Sequence, residues 1–173
     1  PTALNMYYNG DYKIHYKCRT HQCEEIFGNS FIHKTRFNLI TEIKRKVKIL
    51  NKDKVGNNAT IEILLYNKTK RNAKEKITNI VATTYNFEEN IITTTELKKN
   101  EIFEEKYDDT HTIVKFTMPN IKEGCVIEYR YKIETPFMSI KDIDLQYTIP
   151  IKKLDLSVVI PEYFKYTKML NPK

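Results

Sequence analysis

From Asn38 to Leu50 the chain reads NLITEIKRKVKIL. Leu39, Thr41, Ile43, Val47 and Ile49 fall on one set of alternate positions, and Glu42, Lys44, Lys46 and Lys48 on the other. Successive side chains of a strand point to opposite faces, so a period of two describes a strand with one dry face and one wet face. Strands of that kind belong to antiparallel sheets. The rhythm recurs. NKDKVGN (51–57) supplies turn residues, and Ala59, Ile61, Ile63 and Leu65 resume the alternation, which predicts a hairpin. Ile77 to Phe87 and Ile91 to Leu97 flank Glu88-Glu89-Asn90 as a second hairpin. Thr93, Thr94 and Thr95 in succession suit a strand and are poor in a helix.

Farther on, Thr112, Val114, Phe116 and Met118 oppose His111, Ile113, Lys115 and Thr117. A turn from Pro119 to Gly124 leads to Cys125–Glu134, where Ile127, Tyr129, Tyr131 and Ile133 oppose Val126, Glu128, Arg130 and Lys132. Leu145–Ile149 and Leu154–Ile160, each followed by a proline, are two further strands. Helix is scarce: Lys98–Lys106 predicts a turn or two, and Glu162–Leu170 fits neither period. The expectation is an all-β chain, an antiparallel β-sandwich of about eight or more strands with little helix, the barrel being the other closed form of the same pattern. The 173 residues suit a single domain, with Lys17–Phe37, which keeps the rhythm least, as an inserted loop or arm.

Composition narrows function. The four glycines, Gly10, Gly28, Gly56 and Gly124, are too far apart for a phosphate-cradling loop. Lys and Arg total 29 against 22 Asp and Glu, a net charge of +7, yet only five of the 29 are Arg. Nucleic-acid surfaces favour clustered Arg, which grips phosphate with two parallel hydrogen bonds. Lysines alternating with apolar residues describe the solvated side of a sheet, so no nucleic-acid partner is expected. No apolar run nears the ~20 residues of a membrane span. The chain opens at Pro1, which fits a processed start.

Residues able to do chemistry are few. Cys18, His21, Cys23 and His33 form a C-x2-H-x-C-x9-H cluster of the thiolate and imidazole ligands zinc prefers, in a spacing unlike standard zinc modules. The other readings are a Cys18–Cys23 disulfide in an oxidising compartment and a plain polar loop. Cys125 and His111 flank one turn and are the only nucleophile and base to weigh as a pair, but Cys125 opens a strand instead of a helix, where a thiol would be activated. Adjacent acidic pairs such as Glu104-Glu105 and Asp108-Asp109 point to opposite sides of a strand and make poor acid–base partners. Asp142 and Asp144 offer too few oxygens for calcium. Neither GxSxG nor HExxH occurs. No catalytic residue and no cofactor is expected. Twelve Tyr and eight Phe read as core and rim of a sandwich, the alternative being a stacking platform for sugars or bases.

Five stretches, in order, carry a resemblance: KRKVKILNKD (44–53), EKITNIVATTYNFEENII (75–92), KKNEIFEE (98–105), VKFTMPNIKEGCVIEYRYKIETPF (114–137) and LQYTIPIKKLDLSVVIPEYFKY (145–166). Together they resemble the DUF3857 family, the β-sandwich domain that precedes a transglutaminase-like domain in many Bacteroidetes proteins. The most specific block is M-P-N-I-K-E-G-x-x-I-E-Y-x-Y at Met118–Tyr131. Leu4–Tyr16 matches the family's leading strand more loosely. Lys17–Phe37 is longer and richer in Cys and His than the family's link, and Ile143–Leu145 lacks the family's usual aromatic. The resemblance implies a non-catalytic accessory domain of an exported, periplasmic or cell-surface protein. Its partners would be the following Cys-His-Asp domain and another protein or a cell-wall glycan; an independent glycan- or protein-binding module is the alternative. The family's sandwich also extends past the position of Pro172, which implies that the domain is cut short here.

Overall fold

The computed structural model describes residues 6–18, 37–51, 59–67, 74–137, 141–143 and 149–160. Nine strands lie among them: β1 (Met6–Cys18), β2 (Phe37–Ile49), β3 (Thr60–Tyr66), β4 (Lys76–Glu88), β5 (Ile91–Glu96), β6 (Ile102–Lys106), β7 (His111–Thr117), β8 (Val126–Thr135) and β9 (Ile151–Val159). They form two sheets, a six-stranded one in the order β5-β4-β8-β2-β1-β9 and a three-stranded one in the order β3-β7-β6. The all-β sandwich reading therefore holds. No helix among the described residues is long and apolar enough to cross a membrane.

The core lies between the sheets. Ile43, Val47 and Ile49 of β2, Ala82 of β4, and Ile127, Tyr129 and Tyr131 of β8 pack against Ile61, Ile63 and Leu65 of β3 and Val114 and Phe116 of β7. Apart from Ala82, for whose strand no face is assigned, these are the alternate positions the sequence marks as dry. Phe116 meets Tyr129 edge to face across the gap, ring centres 6.1 Å apart, and Tyr129 lies parallel to Tyr131 at 6.4 Å. Tyr129 and Tyr131 thus serve as core rather than as a platform. Arg45 shares the dry face of β2, and its Nη1 donates to the Tyr129 hydroxyl at 3.4 Å, which lets a cation occupy a core-facing position.

Three expectations need correction. First, β2 and β3 are not a hairpin: β2 pairs with β1 and β8, and β3 pairs with β7 in the opposite sheet. Alternation reveals that a strand has a dry face without naming its neighbour, and two strands facing one core from opposite sides write the same pattern. Second, β9 runs parallel to β1, from Tyr8↔Ile151 to His15↔Val159, so the large sheet is antiparallel except at that edge. Third, Lys98–Lys106 holds a single 3-10 turn, Lys99–Glu101, closed by the Glu101 carboxylate on the Lys98 amide at 2.8 Å, and then becomes β6. The β4–β5 hairpin is as expected. Glu89 and Asn90 both have positive φ (50° and 63°), the conformation of a two-residue turn whose twist suits flanking strands. Leu145–Ile149 and Glu162–Leu170 fall wholly or largely outside the described residues.

The Met118–Tyr131 block fastens the sandwich at one end. Gly124, at φ 78°, donates its amide to the Ile49 carbonyl, and the Ile49 amide reaches the Cys125 carbonyl, both at 2.9 Å, which extends the β2–β8 ladder into the turn. Asn86 donates its side-chain amide to the Asn120 carbonyl at 3.0 Å, and Lys122 pairs with Glu88 at 2.6 Å. At the other end Glu75, its side chain 2% exposed, accepts the Tyr66 amide at 2.8 Å and pairs with Lys141 at 2.6 Å. Beside the turn, Thr84 is fully buried and its hydroxyl has no hydrogen-bond partner among the described residues.

Candidate functional site

Of the residues singled out by chemistry, several lie outside the described residues. Cys18 ends β1, while His21, Cys23 and His33 lie outside the described residues, as does any Cys18–Cys23 bridge. Asp144 lies outside them too. Among the described residues no group of three or more His, Cys, Asp or Glu converges as metal ligands would.

Cys125 is a free cysteine, 1% exposed, at the entrance to β8. Burial pushes its thiol above the ordinary value, which opposes thiolate formation. His111 opens β7, whose far end leads into the turn before Cys125. Its contacts are with Tyr66, ring centres 5.3 Å apart, and with Asp108. His111 is therefore a half-buried imidazole at the start of β7, and Cys125 a core thiol beyond the turn that follows the other end of that strand.

The geometry adds a small polar corner that no sequence motif marks. An oxygen of Asp108 accepts the Thr110 amide and hydroxyl at 2.5 and 2.7 Å, and His111 Nδ1 lies 3.0 Å from the other oxygen. The Thr110 hydroxyl and amide, with His111, hold the Asp108 carboxyl well below the usual carboxylate range. The Thr110 hydroxyl also lies 2.6 Å from His111 Nδ1, so an aspartate, a threonine and a histidine close in sequence satisfy one another within one turn.

The larger feature is on the outer face of the six-stranded sheet. A concavity of about 860 Å³ crosses it from Asn79 and Val81 of β4, past Arg130 and Lys132 of β8 and Glu42 and Lys44 of β2, to Asp155 and Ser157 of β9. Its β4 wall is a β-bulge: the register with β8 shifts between Thr78 and Val81, and Asn79 sits at φ 56°. A bulge bends its strand and re-aims the side chains beside it.

Most charges of this face are already matched. Glu128 is shared by Lys44 at 3.2 Å and Lys46 at 2.9 Å, Lys132 pairs with Glu42 at 2.9 Å, and Lys153 with Asp155 at 2.6 Å. Burial pushes the Glu128 carboxyl up, but the hydrogen bonds and charges of Lys46 and Lys44 outweigh it and hold the group below the ordinary carboxylate value. Arg130 differs. It is exposed, lies between Val81 and Lys44 in register, and has no ion pair or hydrogen bond among the described residues. Its outward position is legible from the alternation of β8; the groove is not, because it depends on the bulge and on which strands flank β8. Away from this groove, Phe87 and Ile92 pair across the β4–β5 hairpin and, with Ile91, leave an exposed apolar corner.

No protein-family model matches the chain, and no curated protein matches it. Among solved structures the chain is similar to a protein from Parabacteroides distasonis described as a "putative protease", at 14% identity and a TM-score of 0.61. The match covers 92% of this chain and 29% of that one, so the chain spans less than a third of the length of its structural neighbour. At this identity the likeness establishes the fold.

Proposed function

We propose that this chain is a non-catalytic interaction domain of the DUF3857 kind, which accompanies a transglutaminase-like Cys-His-Asp domain in a larger exported protein. The observation that carries the reading is the extent of the structural match: nearly the whole sandwich corresponds to a minor part of a much longer protein. The Met118–Tyr131 block supports it, as the segment that ties the β4–β5 hairpin to β2. The state of Cys125, buried and disfavoured as a thiolate, agrees with catalysis residing elsewhere. The apolar corner of Phe87, Ile91 and Ile92 is the surface we assign to the catalytic domain.

Protein binding is favoured over glycan binding. Among the described side chains, Tyr107 alone of the tyrosines is exposed; Tyr66 and Tyr85 are half-buried, and Tyr129 and Tyr131 are core. A sugar-stacking platform needs two or three exposed rings on one face. The test is the coding sequence beyond the Lys173 codon, together with peptidase assays of the longest product and of residues 1–173. A following domain with a Cys at a helix start and later His and Asp, active while 1–173 is inert, is the expected outcome. A stop codon directly after Lys173, or peptidase activity in 1–173 alone, overturns the reading.

A further inference from the structure

We infer that the concave outer face of the six-stranded sheet is a binding groove for an extended peptide segment bearing a carboxylate, with Arg130 as its anchor. The inference rests on the interaction-domain reading and names the ligand that such a domain takes. Three observations carry it. The face is hollowed, with a volume of about 860 Å³. Its β4 wall is shaped by a bulge at Asn79 rather than by regular pairing. Among the described residues that line it, Lys132 is paired with Glu42, Lys44 with Glu128 and Asp155 with Lys153, while Arg130 has no counterion.

The dimensions suit a short peptide. From β4 to β9 the groove crosses β8, β2 and β1. Four strand spacings of ~4.8 Å make a span of ~19 Å, which about six extended residues cover at ~3.3 Å each. In register, Val81, Arg130 and Lys44 lie side by side across β4, β8 and β2, and Asp155 of β9 lines the far end, so the groove passes from apolar to cationic to acidic. A planar guanidinium with free donors is suited to a carboxylate, which it can take with two parallel hydrogen bonds. Lys44 beside it adds positive potential without adding a competing acceptor, while Asn79 and Ser157 offer neutral hydrogen-bonding groups at the ends. A polyanion fits poorly, because successive negative charges would meet Glu42 and Asp155. A sugar acid fits poorly too, since the aromatic in the lining, Tyr131, is buried and presents no ring for stacking.

The test is an amide-resonance titration of residues 1–173 with the hexapeptide Gly-Ser-Glu-Ser-Gly-Ser, amidated at its C-terminus, against the same peptide with Gln for Glu. Saturable shifts on β8 and β2 around Arg130 are expected, weakened at least ~5-fold by the Gln peptide and by R130Q, and falling with added salt. R130K retains charge without the fork and should lose part of the affinity. K106Q, on β6 of the other sheet, should lose none. Melting curves of R130Q confirm the fold, which an exposed side chain without partners leaves intact. Equal binding of the Glu and Gln peptides, or equal binding by wild type and R130Q, overturns the inference. So does binding of a galacturonate trimer with none of the Glu peptide, which would transfer the groove to acidic glycans. Binding by 1–173 does not depend on any domain beyond Lys173, so the groove can fail while the accessory reading stands, and the reverse.

Discussion

Replacing Thr84 by valine should make the protein more stable. Thr84 lies on the core-facing side of β4, between Thr95 of β5 and Ile127 of β8, and is fully buried. Its hydroxyl has no hydrogen-bond partner among the described residues. Folding strips such a group of its water and returns nothing, at a cost of about 1–3 kcal/mol. Valine has the same branched shape, keeps the strand preference, and substitutes a methyl whose burial contributes about 0.8 kcal/mol. Allowing for imperfect fit in a close-packed core, the net gain is about 1–2 kcal/mol. For a chain of this size that is roughly 2–8 °C in Tm. Urea titration followed by far-ultraviolet circular dichroism suits a protein without Trp, and an unchanged slope with a higher midpoint would mark a true stability change. Thr83, next in sequence and half-buried on the outer face, is the control: T83V should stay within about 0.5 kcal/mol of wild type. If T84V lost more than about 0.5 kcal/mol, the hydroxyl would be bonded in solution and the reasoning would be wrong.

Glu75 should behave in the opposite way. E75A orphans the Tyr66 amide and should cost about 1–3 kcal/mol, whereas E75Q retains an acceptor, loses only a pair with a half-exposed lysine, and should cost about 1 kcal/mol or less; equal losses in chemical denaturation would refute this. The Glu128 carboxyl is depressed in the fold, so its contribution is fully present above the ordinary value of 4.5 and is lost as pH falls through the lower folded value. The gap in urea midpoint between wild type and E128Q should accordingly be wide near neutrality and close in acid; a gap independent of pH would contradict the Lys44–Glu128–Lys46 arrangement. Cys125 should react with iodoacetamide at least ~10-fold more slowly in the native protein than in urea, as read by peptide mass spectrometry, and fast native labelling would show that the thiol is accessible.

The sequence displays faces far better than neighbours. Ile127, Tyr129 and Tyr131, or Val114, Phe116 and Met118, announce a dry side because the core selects every second residue. Pairing depends on where the chain travels next. That information lies in the connections, so alternation alone gives β2 the wrong partner and leaves the β1–β9 pairing unseen. β6 is obscured for another reason. At the sheet edge Ile102 packs inward while Phe103 is exposed, so two adjacent apolar residues erase the alternation. Ile40 and Ile113 are buried on faces that the pattern marks as wet, so alternation does not identify every buried apolar side chain. The Asp108–Thr110–His111 corner is readable in principle, since its members are sequence neighbours. The Arg130 groove is not, because it joins β4, β8, β2 and β9, whose adjacency no local pattern encodes.

The parallel pairing of β1 with β9 bears on how the chain is made. Tyr12 lies beside Leu156, so the first described strand waits for the last described one. At ~5–20 residues per second, that interval is on the order of ten seconds of translation. Throughout it one side of β1 remains an open ladder of amides and carbonyls, the kind of edge that captures foreign strands. Contacts between distant parts of a chain also slow folding, because their loop entropy is lost before they are rewarded. A fold in which the first and last described strands pair therefore depends, during biogenesis, on something such as a chaperone covering that edge of β1, since β2 docks on the opposite one. Stalling translation before Ile151 should yield a product prone to aggregate, while one extended past Ile160 should remain soluble.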